Sequence, residues 1–238
     1  MLLLFGGQSA EHEVSVISTR SVYAAIDRQR YEPILVGITR QGCWLLADSD
    51  ASILEHNTVD DMSLPIVYLA PTGQELKFFN ASPHDQGVSF DVVFPLLHGP
   101  FGEDGTIQGL LELVGTAYVG AGVAASSVGM DKALAKLIFN ASGLSQTAYQ
   151  VVRRNRWHAD VESVVCNVEK HLTYPLFVKP ANMGSSVGVS KAMDTTSLTE
   201  ALDMAAQYDV KMLVEESVED CHEVECAVLG NESPRASI

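Results

Sequence analysis

The N-terminal segment contains the pattern that most limits the fold of this chain. An apolar run at residues 2–5 ends in Gly6 and Gly7, apolar residues recur at helical spacing over residues 13–27, and a second apolar run fills residues 31–39. A strand, a glycine turn, a helix and another strand form a βαβ unit, whose two strands lie parallel in one sheet. The sequence therefore predicts an α/β fold that opens with a parallel sheet.

The helix predicted at residues 13–27 carries further expectations. We expect Ser9 to be its N-cap, because a serine hydroxyl can accept a hydrogen bond from a free backbone N–H at a helix start. The glycine pair before the helix is not a G-x-G-x-x-G sequence, which disfavours an NAD-dependent oxidoreductase of the dehydrogenase type. The apolar residues expected on the buried side of the helix are Val14, Ile17, Val22 and Ile26.

A second glycine-rich loop occupies residues 98–105, between a strand predicted at 91–97 and a helix predicted at 106–114. Ligands of open parallel sheets bind beyond the carboxyl ends of the strands, where this loop and residues 6–13 both lie. The more polar segment 44–87, with two short strand candidates, is interpreted as an elaboration of the first domain. The residues expected to face inward on the helix are Ile107, Leu110, Leu111 and Val114.

A Gly-Ala-Gly sequence at residues 120–122 marks a domain boundary. We expect a first domain at 1–121, a central subdomain at 122–213 and the beginning of a further subdomain at 214–238. Because that last part only starts a second sheet, we expect the sequence to be a fragment. Beyond the boundary, helices are predicted at 131–142, 160–172 and 196–207, and strands at 147–153, 176–178, 187–191, 211–216 and 223–229.

Lys179 follows the apolar run at 176–178 and precedes a Gly-Ser-Ser-Val-Gly loop at 184–188. Glycine at both ends allows positive φ angles, so that backbone N–H groups can converge on one anion. A lysine at a strand end beside such a loop is typical of a nucleotide phosphate site. The alternative is an ordinary hairpin with a surface lysine.

Composition excludes several classes of partner. The chain has 15 Lys+Arg against 30 Asp+Glu and a net charge of −15, so we expect no nucleic-acid or anionic-membrane partner. The 4 cysteines show neither metal nor disulfide spacing, which favours a reducing compartment and no metal role for Cys221, His222 and Cys226. No apolar run reaches membrane-spanning length, so we expect a soluble, cytoplasmic protein.

Five segments taken together resemble the D-alanine–D-alanine ligases of the ATP-grasp superfamily. They are GGQSAEHEVS at residues 6–15, HGPFGEDGTIQG at 98–109, MDK at 130–132, FVKPANMGSSVGVSK at 177–191 and ECAVLGN at 225–231. The second segment is highly specific, whereas the lysines and the glycine loop alone would indicate only an ATP-grasp protein. The resemblance implies an N-terminal Rossmann-like parallel-sheet domain followed by an ATP-grasp domain, whose second subdomain is incomplete.

The resemblance also implies an activity. The family joins two D-alanines for peptidoglycan synthesis, and ATP first phosphorylates one carboxylate to an acyl phosphate that the second amine attacks. The implied cofactors are ATP and Mg²⁺ or Mn²⁺, with metal ligands expected beyond residue 238. The implied partners are D-alanine and a second copy of the chain in a homodimer. Residues 1–238 alone are expected to bind nucleotide weakly and to turn over nothing.

The roles of the matching residues follow from the same resemblance. Glu11 is implied to bind the ammonium group of the first D-alanine, His98 to lie near that substrate, and Ser185 to orient neighbouring groups at the catalytic site. The positions implied to bind the nucleotide are Lys132 and Lys179 at the phosphates, Gly184, Ser186 and Val187 in the loop that closes over them, Glu215, Glu216 and Val218 at the adenine hinge, and Glu223 at the ribose.

Other interpretations remain open from the residues themselves. A relative that joins D-alanine to D-lactate or D-serine would carry the same motifs, as would a truncated, catalytically inactive nucleotide-binding module. Glu11 could equally be a first-turn acid, Lys132 an exposed lysine at a helix start, and Ser185 a turn residue. A comparison of amine and hydroxy-acid acceptors would separate the two ligase interpretations.

Overall fold

The computed structural model describes residues 1–48, 51–79 and 86–237. These residues form a seven-stranded sheet, a four-stranded sheet and a two-stranded sheet. Each of the two larger sheets has its own apolar packing, so the chain folds around separate cores in its N-terminal and later parts.

The seven-stranded sheet contains the predicted βαβ unit. Its strands are β1 (Leu2–Gly6), β2 (Ile34–Ile38), β3 (Trp44–Asp48), β4 (Ile66–Leu69), β5 (Glu75–Phe78), β6 (Val88–Ser89) and β7 (Val93–Pro95), in the order β6-β5-β4-β3-β2-β1-β7. Strand β1 lies parallel to both β2 and β7, as predicted. The other neighbours are antiparallel, so the polar segment after β2 extends the sheet as a meander.

Helix α1 (His12–Ala25) buries a different side from the predicted one. Of the four residues expected to face inward, Val14 is 42% exposed and Ile17 46%, so the prediction was wrong for these two. Val22 and Ile26 are partly buried. The Ser15 hydroxyl donates to the Leu96 carbonyl (2.6 Å) and accepts from the Gly6 N–H (2.8 Å), which turns a polar stripe of the helix toward the strands. The residues buried on α1 are His12, Ser15, Val16 and Thr19.

Ser9 is not the N-cap of α1, because the helix begins at His12, three residues after Ser9. Glu11 is the cap residue and makes no side-chain capping hydrogen bond. The Ser9 hydroxyl instead donates to the His98 carbonyl (2.7 Å) and accepts from the Glu11 N–H (3.1 Å). Ser9 therefore joins the two glycine-rich loops of the sheet.

Helix α2 (Thr106–Leu113) follows the second loop. Ile107 and Leu111 are buried as expected, but Leu110 is 38% exposed and was placed wrongly. Gln108 is buried in its stead, because its amide donates to the Gly102 carbonyl (2.8 Å) and so anchors the loop to the helix.

The four-stranded sheet is antiparallel and supports the second half of the chain. Its strands are β8 (Tyr149–Arg153), β9 (Leu176–Pro180), β10 (Ser190–Ala192) and β11 (Lys211–Glu216), in the order β10-β9-β11-β8, and its helices are α3 (Val123–Met130), α4 (Lys132–Ala141), α5 (Arg154–Ala159), α6 (Val161–His171) and α7 (Thr195–Tyr208). The predicted inward residues of α7 are all buried, namely Leu198, Leu202, Ala205 and Ala206. Helices α3 and α5 were not predicted.

The strand predicted at 223–229 is mostly absent. Only β12 (Val228–Leu229) forms, and it pairs with β13 (Arg235–Ala236). Val224 is 85% exposed and Leu229 80%, so the alternating pattern has no buried face to form against.

Candidate active site

Several residues singled out in the sequence come together at a loop that links the N-terminal part of the chain to the later part. Glu11 and His98 follow strands of the seven-stranded sheet, while Lys132 and Lys179 belong to the second half of the chain. The loop at 184–188 lies between them, since Ser185 contacts Glu11 directly. The site therefore has three parts: an acidic part around Glu11, a group of lysines, and a connecting loop at residues 182–188.

The acidic part is built by the end of strand β1. Gly6 and Gly7 both have positive φ angles (83° and 96°), and a Cβ at Gly6 would lie 2.4 Å from the Ile38 carbonyl oxygen. The chain can thus turn sharply under the sheet edge and reach Glu11. His12 fixes this turn, because one ring nitrogen accepts from the Val59 N–H (3.0 Å), which leaves the other to donate to the Gly7 carbonyl (2.7 Å).

The Glu11 carboxylate is buried and only half satisfied. One oxygen, Oε1, accepts a hydrogen bond from the Ser185 hydroxyl, while Oε2 has no partner among the described residues although Glu11 is only 6% exposed. A Cβ at Gly99 would lie 2.3 Å from Oε2 and one at Gly184 3.0 Å, so backbone alone approaches this oxygen closely. An unpartnered buried anion is unfavourable, and a ligand ammonium group would relieve it.

His98 lies beside the same turn. Its Nε2 is 3.0 Å from the Ser18 hydroxyl, and the residue lines a cavity of about 230 Å³ together with Gly7, Phe101 and Leu110. The cavity opens between the two glycine-rich loops, at the carboxyl edge of the parallel strands.

The loop that carries His98 is held by local hydrogen bonds. The Glu103 carboxylate accepts from the Gly99 N–H (2.7 Å), and Asp104 accepts from the N–H groups of Phe101 and Thr106 (both 2.9 Å). The N-cap of α2 is Gly105, and Asp104 lies one residue before it.

Lys132 begins helix α4 and points to the root of the loop. Asp131 caps the helix by accepting from the N–H groups of Ala133 (3.0 Å) and Leu134 (3.1 Å). The Lys132 ammonium donates to the Met183 carbonyl at 2.5 Å. Burial and the nearby charge of Lys179 lower the pKa of Lys132.

Lys179 shares one carboxylate with another lysine. Its ammonium pairs with Oε1 of Glu215, while Oε2 of Glu215 is 3.0 Å from the Lys136 ammonium. Burial raises the pKa of Glu215, but its hydrogen bonds and charge interactions with Lys179 and Lys136 outweigh that effect, and the pKa is lowered. We call Lys132, Lys136, Lys179 and Glu215 the lysine cluster.

The connecting loop has an unusual backbone. Ser185 and Ser186 have φ angles of 46° and 58°, a left-handed region that costs a non-glycine residue about 1–3 kcal/mol. The loop closes on itself through the Val187 N–H, which donates to the Gly184 carbonyl (3.0 Å). Its root is fixed by Asn182, whose backbone and side-chain N–H groups both donate to one carboxylate oxygen of Asp209 (2.8 and 2.9 Å).

The other residues predicted to bind the nucleotide, Glu216, Val218 and Glu223, form few side-chain hydrogen bonds. Glu216 accepts from the Thr173 N–H (2.8 Å), and Val218 is 55% exposed. Glu223 is exposed and forms no hydrogen bond or ion pair within residues 1–48, 51–79 and 86–237. Lys136 was not predicted, although its place four residues after Lys132 puts both lysines on one side of α4.

The described residues offer no metal centre and no membrane span. No group of three or more His, Cys, Asp and Glu side chains in the described ranges could hold a metal ion. None of the helices that the structure describes is long and apolar enough to cross a bilayer.

The fold and the site together define an ATP-grasp α/β protein in which one loop joins a buried carboxylate, Glu11, to partly buried lysines of the later part of the chain. Family models described as "D-ala D-ala ligase N-terminus" and "D-ala D-ala ligase C-terminus" match residues 1–121 and 138–238. The chain belongs to the D-alanine–D-alanine ligase family.

Individual relatives agree with this assignment. A D-alanine–D-alanine ligase from Ruminiclostridium cellulolyticum is 46% identical over 244 residues, covering 99% of this chain and 65% of the relative. The crystal structure of VanG D-Ala:D-Ser ligase from Enterococcus faecalis matches with a TM-score of 0.85 and 33% identity, covering 99% of this chain and 67% of that one. The D-alanine-D-alanine ligase from Coxiella burnetii has the same TM-score, identity and coverage of this chain, and 68% of it is covered.

The matches confirm the predicted family and the predicted fold class, an N-terminal parallel-sheet domain followed by an ATP-grasp domain. The chain spans 65% of the length of the Ruminiclostridium cellulolyticum relative.

Proposed function

We propose that this chain carries the nucleotide-binding and first-substrate-binding parts of an enzyme that joins two D-alanines with ATP. One observation carries the proposal. Ser185 of the connecting loop holds the Glu11 carboxylate, while the root of the same loop accepts the Lys132 ammonium at Met183. An anion suited to an amino-acid ammonium group and cations suited to phosphate therefore meet on one loop.

The proposed chemistry uses these charges for positioning. Glu11 binds the ammonium group of the first D-alanine through its free oxygen and leaves the substrate carboxylate turned toward the lysine cluster. Lys132 and Lys179 hold the ATP phosphates, so that the terminal phosphoryl group can pass to that carboxylate. The second amine then attacks the acyl phosphate and displaces phosphate, while Ser185 keeps Glu11 in place and His98 lies beside the substrate.

We further propose that the nucleotide lies along the lysine cluster. Gly184, Ser186 and Val187 close over the phosphates, Glu215, Glu216 and Val218 line the adenine hinge through their backbone, and Glu223 binds the ribose. The division of the chain at 1–121, 122–213 and 214–238 is part of this proposal. The separate sheets, which lie within residues 2–95, 149–216 and 228–236, support the first boundary, whereas strand β11 (Lys211–Glu216) continues across the second.

A divalent ion such as Mg²⁺ or Mn²⁺ would add neutralising charge at the phosphates. The residues described here do not fit such an ion, because no suitable group of acidic or histidine side chains forms among them. A cytoplasmic location and a role in peptidoglycan synthesis are proposed from the family. A homodimer is proposed as well, supported by the exposed apolar side chains of Val14 and Ile17 on α1.

The function can be tested in two stages. First, the 238-residue chain should gain thermal stability with ATP and with D-alanine, each added alone. Second, a chimera that continues this chain with the remaining third of the Ruminiclostridium cellulolyticum ligase should form D-alanyl-D-alanine, ADP and phosphate. A chimera that folds and binds ATP but forms no dipeptide would refute the proposed reaction.

A second acceptor is favoured by one structural match, the VanG D-Ala:D-Ser ligase with its TM-score of 0.85. The same chimera, offered D-alanine together with D-serine or D-lactate, would report which acceptor this chain tolerates. The proposal expects D-alanyl-D-alanine as the main product, and a dominant mixed product would favour the alternative.

A further inference from the structure

Two lysines share the Glu215 carboxylate, but they differ in what else they contact. The Lys136 ammonium also donates to the Thr147 hydroxyl (3.0 Å) and lies 5.0 Å from the centre of the Tyr149 ring. For Lys179, Glu215 is the sole hydrogen-bond or ion-pair partner of the ammonium within the described residues. Lys136 is therefore fixed on several sides, whereas Lys179 can leave by breaking one contact.

Because Glu215 and its two lysines are largely buried, the loss of one of the two ion pairs affects the stability of the other. The side chain of Glu215 is 12% exposed and that of Lys136 14%, against 22% for Lys179. A buried carboxylate that loses its partner is strongly destabilised, because solvent does not replace the lost charge. If Lys179 were the sole partner of Glu215, phosphate could attract Lys179 only by leaving that carboxylate uncompensated.

We infer that Lys136 is a positioning residue that holds the Glu215 carboxylate, so that Lys179 is free to turn from Glu215 to a nucleotide phosphate. Lys136 itself stays on Glu215, Thr147 and Tyr149 and does not contact the ligand. The inference rests on the proposed nucleotide site and adds to it a residue that acts through Glu215 alone.

The geometry of the sheet supports this division of labour. Leu213 of β11 pairs with Lys179 of β9, so Glu215 lies two residues along on the same side of the sheet. Lys136 comes from α4, one helical turn after Lys132, and reaches Glu215 at its other oxygen. One carboxylate thus receives a strand lysine and a helix lysine from two directions, and the charge of the strand lysine, Lys179, contributes to the lowered pKa of Lys132.

The test is a double-mutant cycle on the 238-residue chain, with ATP and adenosine affinities measured by calorimetry. Lys136→Met should weaken ATP binding about tenfold and leave adenosine binding unchanged, because only phosphate requires Lys179 to move. Lys136→Arg, which keeps the charge, should bind ATP like the wild type. In a Glu215→Gln background, Lys136→Met should have no further effect, since a neutral amide no longer holds Lys179.

Each outcome decides a separate point. If the wild type binds ATP no better than adenosine, the proposed nucleotide site fails, and this inference with it. If the wild type prefers ATP but Lys136→Met weakens binding equally in both backgrounds, only the inference is overturned, because Lys136 then acts without Glu215. Should Lys136→Met fail to fold, the comparison of Glu215→Gln with the double variant remains, and unequal ATP affinities there would overturn the inference.

Discussion

Two buried carboxylates of this chain, Glu11 and Glu215, differ in how their charge is compensated. Glu11 has one oxygen without a partner in the described part of the chain and a single hydrogen bond, from Ser185, on the other. Glu215 is held by lysines at both oxygens, and those contacts lower its pKa despite burial. The first lies at the end of a parallel strand, the second on an antiparallel strand.

The difference separates two ways of preparing a site for a charged ligand. At Glu11 the protein leaves a charge unsatisfied, so a ligand ammonium group would complete it without displacing any protein cation. At the lysine cluster the charges are already paired, so a phosphate must exchange with a protein carboxylate. A buried charge without a partner lowers the stability of the free protein. A paired charge stabilises the fold, but its ion pair must break before the ligand can bind.

The comparison predicts first that removing the paired carboxylate harms the fold most. Glu215→Ala leaves Lys179 and Lys136 without their counter-ion and should lower the free energy of unfolding by about 3 kcal/mol. Urea unfolding followed by circular dichroism measures this loss. Glu223→Ala is the matched control, because Glu223 is exposed. A loss no larger than that of the control would contradict the assigned pairing.

The same pair sets a pH dependence. Because the pKa of Glu215 is lowered from its ordinary value of 4.5, its stabilisation is present above that value and is lost as the pH falls through the lowered pKa. Glu215→Gln should flatten this part of the stability curve, measured by thermal unfolding from neutral to acidic pH. Identical acid limbs for the wild type and the variant would disprove the linkage.

A further prediction concerns Lys179, whose ammonium group has Glu215 as its single ion-pair partner among the described residues. Lys179→Ala should weaken ATP binding by about 2 kcal/mol, the contribution of a charge-assisted hydrogen bond. The fold should remain, because Lys136 still compensates Glu215. Calorimetric titration and urea unfolding measure the two effects, with Lys191→Ala as an exposed-lysine control. An equal loss of stability with unchanged ATP affinity would make Lys179 purely structural.

The unpaired carboxylate should behave in the opposite way. Glu11→Gln removes a buried charge. The free energy of unfolding should rise by up to about 1 kcal/mol, because Oε2 of the charged carboxylate has no hydrogen-bond partner among the described residues. D-alanine should no longer stabilise the variant in a thermal-shift assay. Destabilisation with D-alanine binding intact would show that the Glu11 charge serves the fold.

The smallest effect concerns Lys132, whose pKa is lowered by burial and by Lys179. Between that lowered pKa and 10.5 the unfolded chain binds more protons, so stability should rise with pH in this window. Bound phosphate favours the ammonium form, so ATP binding there should take up a fraction of a proton. Calorimetry in buffers of different ionisation enthalpy measures the uptake, and its persistence in Lys132→Met would contradict the assignment.

The sequence predicted those features that depend on local pattern. The βαβ unit followed from the glycine turn at Gly6 and the apolar runs around it, and the inward face of α7 followed from helical spacing. The buried face of α1 was predicted wrongly, because Ser15 and His12 form hydrogen bonds to the distant backbone groups of Leu96 and Val59, while Val14 and Ile17 stay exposed. Tertiary polar contacts of this kind leave no local pattern.

The site shows the same limit. The pairing of Lys179 with Glu215 depends on the register of β9 against β11, which no local pattern specifies. Lys136 was visible only as a lysine one helical turn after Lys132. The free oxygen of Glu11 could not be foreseen either, because it depends on Gly99 and Gly184 approaching from different parts of the chain.

Recognition of polyphosphate by Lys132 and Lys179 can be measured by calorimetric titration of the 238-residue chain with ATP and with adenosine. ATP should bind more tightly than adenosine to the wild type, and Lys132→Ala combined with Lys179→Ala should abolish this preference. Equal affinities for ATP and adenosine in the wild type, or an ATP preference that survives the loss of both lysines, would contradict this recognition.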